Sequence, residues 1–99
     1  MSELAQRLGA ALKARGLKLA TAESCTGGWV AMALTAIPGS SEWFERGYVT
    51  YSNAAKREDL GVAEETLRRH GAVSEAVARE MAAGALKRAD GSLGALFGA

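Results

Sequence analysis

A run in which Leu17, Leu19 and Thr21 alternate with Lys18 and Ala20 gives way at Glu23-Ser24-Cys25-Thr26-Gly27-Gly28 to an apolar stretch over 29–37. The period changes from two residues to a helical one across a pair of glycines, which reads as strand, tight loop, helix. Pro38-Gly39-Ser40 then breaks the helix, and Gly47-Tyr48-Val49-Thr50-Tyr51 supplies the next β-prone segment after a link around Trp43 and Phe44. Two strands separated by a helix are most economically parallel, joined by a crossover. This βαβ unit places the chain among α/β folds.

The flanking segments are helical. Leu4, Leu8 and Leu12 recur at helical spacing after Ser2 as a possible cap, with Lys13 and Arg15 in the last turn and Gly16 as the stop. Asn53 is expected to cap a short helix carrying Lys56 and Leu60 and ended by Gly61, followed by a turn or two over 65–69 stopped by Gly71. Ser74 is expected to cap a helix running to about Arg88, with Val77, Met81 and Ala85 on one face and Glu75, Arg79 and Lys87 on the other. The segment 91–99 is apolar enough for a last strand but carries three glycines that weaken it.

With 99 residues, 48% of them hydrophobic, the chain supports one small domain spanning 1–99. Twelve basic side chains against 11 acidic ones, with no basic run, argue against nucleic acid as a partner. No apolar segment approaches the roughly 20 residues that span a bilayer. A lone cysteine, Cys25, cannot form an internal disulfide, and the start Met1-Ser2-Glu3-Leu4 does not read as a secretory signal, so a soluble, cytoplasmic protein is expected.

In a parallel sheet, ligands bind beyond the carboxyl ends of the strands. Ser24 lies just past the first expected strand, Tyr51 ends the second, and Lys56 on the first turn of the next helix can reach back toward both. A serine hydroxyl becomes a nucleophile when a base takes its proton, and a lysine desolvated in a pocket can be that base. Tyr51 could relay the proton or hold the amine. Thr26, Gly27 and Gly28 offer backbone N–H groups suited to a phosphate or an oxyanion. On spacing alone, the loop is equally well a helix cap and tight turn, Tyr51 a strand aromatic and Lys56 a solvated helix residue.

Other residues carry competing readings. Cys25 at a helix start could act as a thiolate with His70 as its base, although a buried thiol and a histidine at a helix C-terminus explain both. Glu23 could orient Lys56 or a substrate amide, or pair with a neighbouring base on the rim. Trp29 and Trp43 could stack on an aromatic ring or simply pack.

Thr21-Ala22-Glu23-Ser24-Cys25-Thr26-Gly27-Gly28 is followed in order by Pro38-Gly39-Ser40-Ser41, Tyr51-Ser52-Asn53-Ala54-Ala55-Lys56, Leu60-Gly61-Val62, His70-Gly71-Ala72-Val73-Ser74 and Ala82-Ala83-Gly84-Ala85. These blocks, with these gaps, resemble the nicotinamide-nucleotide amidase family, which also forms the C-terminal domain of the competence-associated protein CinA. The resemblance implies a three-layer α/β/α fold with a small mixed or parallel sheet. It also implies hydrolysis of nicotinamide mononucleotide to nicotinic acid mononucleotide and ammonia, with no metal or other cofactor required.

On the same resemblance, Ser24 is the nucleophile, and Tyr51 and Lys56 complete a Ser-Tyr-Lys arrangement. Thr26, Gly27 and Gly28 line the pocket or oxyanion site, and Glu23 and Asn53 are substrate-binding candidates. Domains of this family continue further than Ala99, so an incomplete sheet and a homo-oligomer that covers its open side are expected. The alternative is a nucleotide-binding or oligomerising module of the same family without turnover.

Overall fold

The computed structural model describes residues 2–89, which form five α-helices and two parallel strands. The first helix, α1, spans Ser2–Ala14, and Ser2 stands inside it rather than capping it. Strand β1 follows at Leu19–Glu23, then α2 at Trp29–Thr35, a single 3₁₀ turn at Ser40–Glu42, and β2 at Phe44–Val49. The remaining helices are α3 at Asn53–Leu60, α4 at Glu64–His70 and α5 at Glu75–Arg88. The last strand expected over 91–99 lies outside the described residues.

Alternation along β1 divides the core between the two faces of the sheet. Leu19 packs with Ala5, Leu12, Leu34 and Trp43 beneath α1 and α2. Ala22, three residues on and pointing the other way, packs with Leu60, Leu67, Val77, Met81 and Ala85 of α3, α4 and α5. The result is the expected three-layer α/β/α arrangement around a strand buried along its whole length.

Two glycines set how closely the layers approach. A Cβ on Gly9 would lie 2.5 Å from the Trp43 indole, so α1 rests directly on that ring. Trp43 is therefore a packing residue. A Cβ on Gly84 would lie 1.9 Å from the carbonyl oxygen of Leu60, so α5 and the end of α3 touch backbone to backbone.

The second strand begins earlier than its sequence suggests. Leu19 pairs with Phe44 and its amide donates to the Trp43 carbonyl at 2.7 Å, so the segment read as a link starts β2, and the strand ends at Val49. Tyr51 thus lies two residues beyond the strand instead of ending it. The ladder is prolonged by one bond, from the Thr50 amide to the Glu23 carbonyl at 2.9 Å.

The cap of α3 is also displaced by one residue. Ser52, not Asn53, has extended backbone and accepts from the Ala55 amide at 3.0 Å, while Asn53 is the first helical residue. Gly61, with φ of 71°, ends α3 as expected, and Ser74 caps α5 through the Val77 amide at 3.2 Å. Among the described residues, no helix is long and apolar enough to cross a membrane.

Candidate active site

The carboxyl end of β1 delivers Glu23 and Ser24 side by side, and the end of β2 delivers the segment over 50–52 next to them. Main-chain bonds fix this junction on both sides of the serine. Glu23 offers its carbonyl to the Thr50 amide, and Ser24 offers its own to the Gly27 amide at 3.0 Å. The turn that follows requires left-handed backbone at Gly27 (φ 60°) and Gly28 (φ 103°), which a Cβ would disfavour.

Lys56 sits one turn into α3 and reaches back across the junction. Its Nζ donates to Ser24 Oγ at 3.0 Å and to the Tyr51 carbonyl oxygen at 2.7 Å. Lys56 is only 1% exposed and Ser24 only 8%. Both polar partners of the amine among the described residues are uncharged, so they do not repay the loss of hydration of an ammonium ion. Burial accordingly pushes the Lys56 amine below its ordinary value, with the nearby Cys25 thiol opposing the shift in part. This is the environment in which a lysine can become a neutral base.

Tyr51 meets the amine through its main chain. Its carbonyl oxygen accepts from the Lys56 amine, whereas the residue is 72% exposed. Asn53 is also exposed, and it lines a shallow cleft with Arg57, Glu64, Leu67 and Arg68. Trp29 at the start of α2 is 50% exposed, so it remains available to a ligand, unlike Trp43.

Glu23 does not lie on the rim, because it is completely buried, and it forms no ion pair among the described residues. Its Oε1 accepts from the Thr26 hydroxyl at 2.7 Å, the Gly28 amide at 3.1 Å and the Val30 amide at 2.9 Å, and its Oε2 accepts from the Ala31 amide at 2.9 Å. Burial pushes the carboxyl up. The bonds from Thr26, Ala31, Val30 and Gly28 outweigh burial and hold the group below its ordinary value. The carboxylate thus satisfies the orphan amides at the start of α2 from the strand that precedes it.

These bonds also redistribute the donors of the loop. The amides of Gly27 and Gly28 are engaged with Ser24 and Glu23, and the Thr26 hydroxyl with Glu23. The amides of Cys25 and Thr26 donate to no acceptor among the described residues. Cys25 itself is exposed on the turn. His70 closes α4, as its helix-end reading required. Among the described residues, no group of three or more His, Cys, Asp or Glu side chains could hold a metal ion.

The sequence model of the CinA C-terminal domain matches residues 1–96. The chain belongs to the CinA C-terminal domain family. It is 64% identical over 89 residues to the nicotinamide-nucleotide amidohydrolase PncC of Escherichia coli, covering 90% of this chain and 54% of that protein. A CinA-like protein of Chloroherpeton thalassium is 62% identical over 85 residues, covering 86% of this chain and 20% of that protein. The crystal structure of a CinA superfamily protein from Escherichia coli superposes with a TM-score of 0.88 at 46% identity, over 90% of this chain and 52% of that one. The chain therefore spans about half the length of the amidohydrolase it matches, and that half carries Ser24, Tyr51 and Lys56.

Proposed function

We propose that this chain carries the nucleophile and base of an amidohydrolase acting on the carboxamide of nicotinamide mononucleotide. The observation that carries the reading is the buried contact of 3.0 Å between Lys56 Nζ and Ser24 Oγ, in which the lysine has no charged hydrogen-bond partner among the described residues. Likeness to the amidohydrolase PncC supplies the substrate class.

With the Lys56 amine neutral, the same separation lets the Ser24 hydroxyl donate to Nζ while one N–H stays on the Tyr51 carbonyl. Ser24 Oγ attacks the carboxamide carbon as Lys56 takes its proton. The amides of Cys25 and Thr26 face the oxygen on which charge collects, in place of the engaged glycine amides. Collapse of the adduct expels ammonia, which takes the proton back from Lys56, and leaves an ester on Ser24. Water activated by Lys56 cleaves the ester to nicotinic acid mononucleotide and restores the serine. The exposed rings of Tyr51 and Trp29 are the aromatic surfaces available to the pyridine.

The test is ammonia release from nicotinamide mononucleotide. The wild-type chain is expected to release it, Ser24→Ala to lose at least about 10³-fold in rate, and Cys25→Ala to stay within a few-fold of wild type. Loss of activity in Cys25→Ala with survival in Ser24→Ala would transfer the chemistry to the thiol. The chain's coverage of about half the amidohydrolase favours one second reading, a nucleotide-binding module. Its signature is thermal stabilisation by the nucleotide from a folded sample that releases no ammonia.

A further inference from the structure

Among the described residues the Glu23 carboxylate is the side chain with the most hydrogen bonds, and the reaction as proposed does not use it. It lies directly before Ser24, fully buried, with four donors from the following turn and the first residues of α2 converging on its two oxygens. A cap needed only to start a seven-residue helix would require one such bond, commonly from a short polar side chain next to the helix. Here the acceptor comes from six residues before Trp29, within the strand, and it binds both the turn at Thr26 and Gly28 and the helix at Val30 and Ala31. Strand end, turn and helix start are therefore tied to a single group.

We infer that Glu23 is the positioning residue of this site: its carboxylate gathers the turn after β1 so that Ser24 Oγ is presented to Lys56 Nζ. Backbone bonds hold the two carbonyls flanking the serine, from Thr50 behind it and Gly27 ahead of it. The far side of the turn is joined to α2 by the Trp29 amide on the Thr26 carbonyl and the Met32 amide on the Gly28 carbonyl, both at 3.0 Å, and among the described residues the hydrogen bonds that tie it back to β1 are those on the Glu23 carboxylate. Release of that side lets the peptide over 25–28 swing, and Ser24 Oγ moves with it. A displacement of about 1 Å between reacting groups lowers turnover by roughly 100-fold. This consequence for turnover rests on the reading of Ser24 and Lys56 as nucleophile and base. The positioning itself does not.

Glu23→Gln isolates the role because it preserves size and burial. A carboxamide keeping its oxygen toward Thr26, Gly28 and Val30 turns its NH₂ toward the Ala31 amide, donor against donor, and the reverse orientation loses the two bonds from the Gly28 and Val30 amides. In the folded variant, the nuclear Overhauser contact between the Ser24 and Lys56 side chains is expected to weaken. The Lys56 side-chain titration, followed by carbon-13 chemical shift, is expected to move. The kcat for ammonia release should fall about tenfold or more with KM within about threefold.

Thr26→Val removes one of the four donors and should shift the same readouts in the same direction by less, which keeps the comparison available if Glu23→Gln does not fold. An unchanged Ser24–Lys56 contact and an unchanged lysine titration in the folded variants would overturn the inference. A wild-type chain silent toward nicotinamide mononucleotide, whose Ser24–Lys56 contact is still lost in Glu23→Gln, would sink the amidase reading and leave the positioning role standing.

Discussion

Lys56→Met is expected to lower kcat/KM for ammonia release by about 10²–10⁴-fold, the usual contribution of a positioned general base, and to abolish the pH dependence of stability at this site. Methionine fills a similar volume without a charge. The lysine it replaces is buried against a hydroxyl and a carbonyl, and its folded-state pKa is depressed below the ordinary 10.5. A depressed lysine binds fewer protons folded than unfolded in the window between the two values, so wild-type stability rises with pH there. Below that window, the folded state bears the full cost of burying the amine or its charge. Above about 10.5 the cost is gone.

The methionine variant has no such titration. Its melting temperature relative to wild type should therefore increase as pH falls from above 10.5 through the folded-state value, which thermal melts at a series of pH values would read. Each kcal/mol of difference appears as about 4–8 °C in a domain of this size. In the wild-type chain, the rate should rise with pH as the amine loses its proton, with a midpoint below that of an ordinary lysine. A gap in melting temperature that does not vary with pH would mean that Lys56 is not the desolvated amine the site requires.

Gly84→Ala carries the largest expected effect on folding. In an exposed helix interior, alanine stabilises by roughly 1 kcal/mol relative to glycine. Here the added Cβ would stand 1.9 Å from the Leu60 carbonyl oxygen and 2.8 Å from its carbon. The obstacle is backbone at the end of α3, so no side chain can swing away from it. Relief requires α5 to withdraw from α3 by more than an ångström, opening the cluster of Leu60, Val77, Met81 and Ala85. Overpacking of this kind costs about 3 kcal/mol or more, enough to offset the propensity gain several-fold. Because Lys56 rides on α3, the variant should also lose activity in step with its folded fraction. Denaturant unfolding measures this directly, and a variant as stable as wild type would show that the two helices are not in contact as described.

Much of the architecture was legible in the chain, and the exceptions have identifiable causes. The long helices announce themselves through periodic apolar residues with Gly16 and Ser74 at their boundaries, because capping and amphipathicity are local properties. The start of β2 was not legible. Trp43 and Phe44 look like a linker until Leu19 is seen to pair with them, and pairing between distant segments is a tertiary fact.

The site divides in the same way. Ser24 and Lys56, 32 residues apart, could be brought together on paper by the rule that parallel strands present ligands at their carboxyl ends, and the structure places them 3.0 Å apart. The contact of Tyr51 with the Lys56 amine could not be read, since it is made by a carbonyl that every residue has. The burial of Glu23 is not legible in the sequence, because a glutamate beside a polar loop ordinarily faces solvent. Only the fold reveals that four donors, spread over Thr26 to Ala31, converge on it. A carboxylate at the end of a buried strand, followed by two glycines and a helix, is the signal that could have suggested this.

The most direct test of the central claim is rapid acid quenching of the wild-type chain during turnover of nicotinamide mononucleotide, followed by mass spectrometry of its peptides. The account predicts a nicotinate-nucleotide acyl group carried as an ester on Ser24, absent from Ser24→Ala and accumulating less in Lys56→Met. An acyl group on Cys25, or turnover that persists in Ser24→Ala, would contradict it.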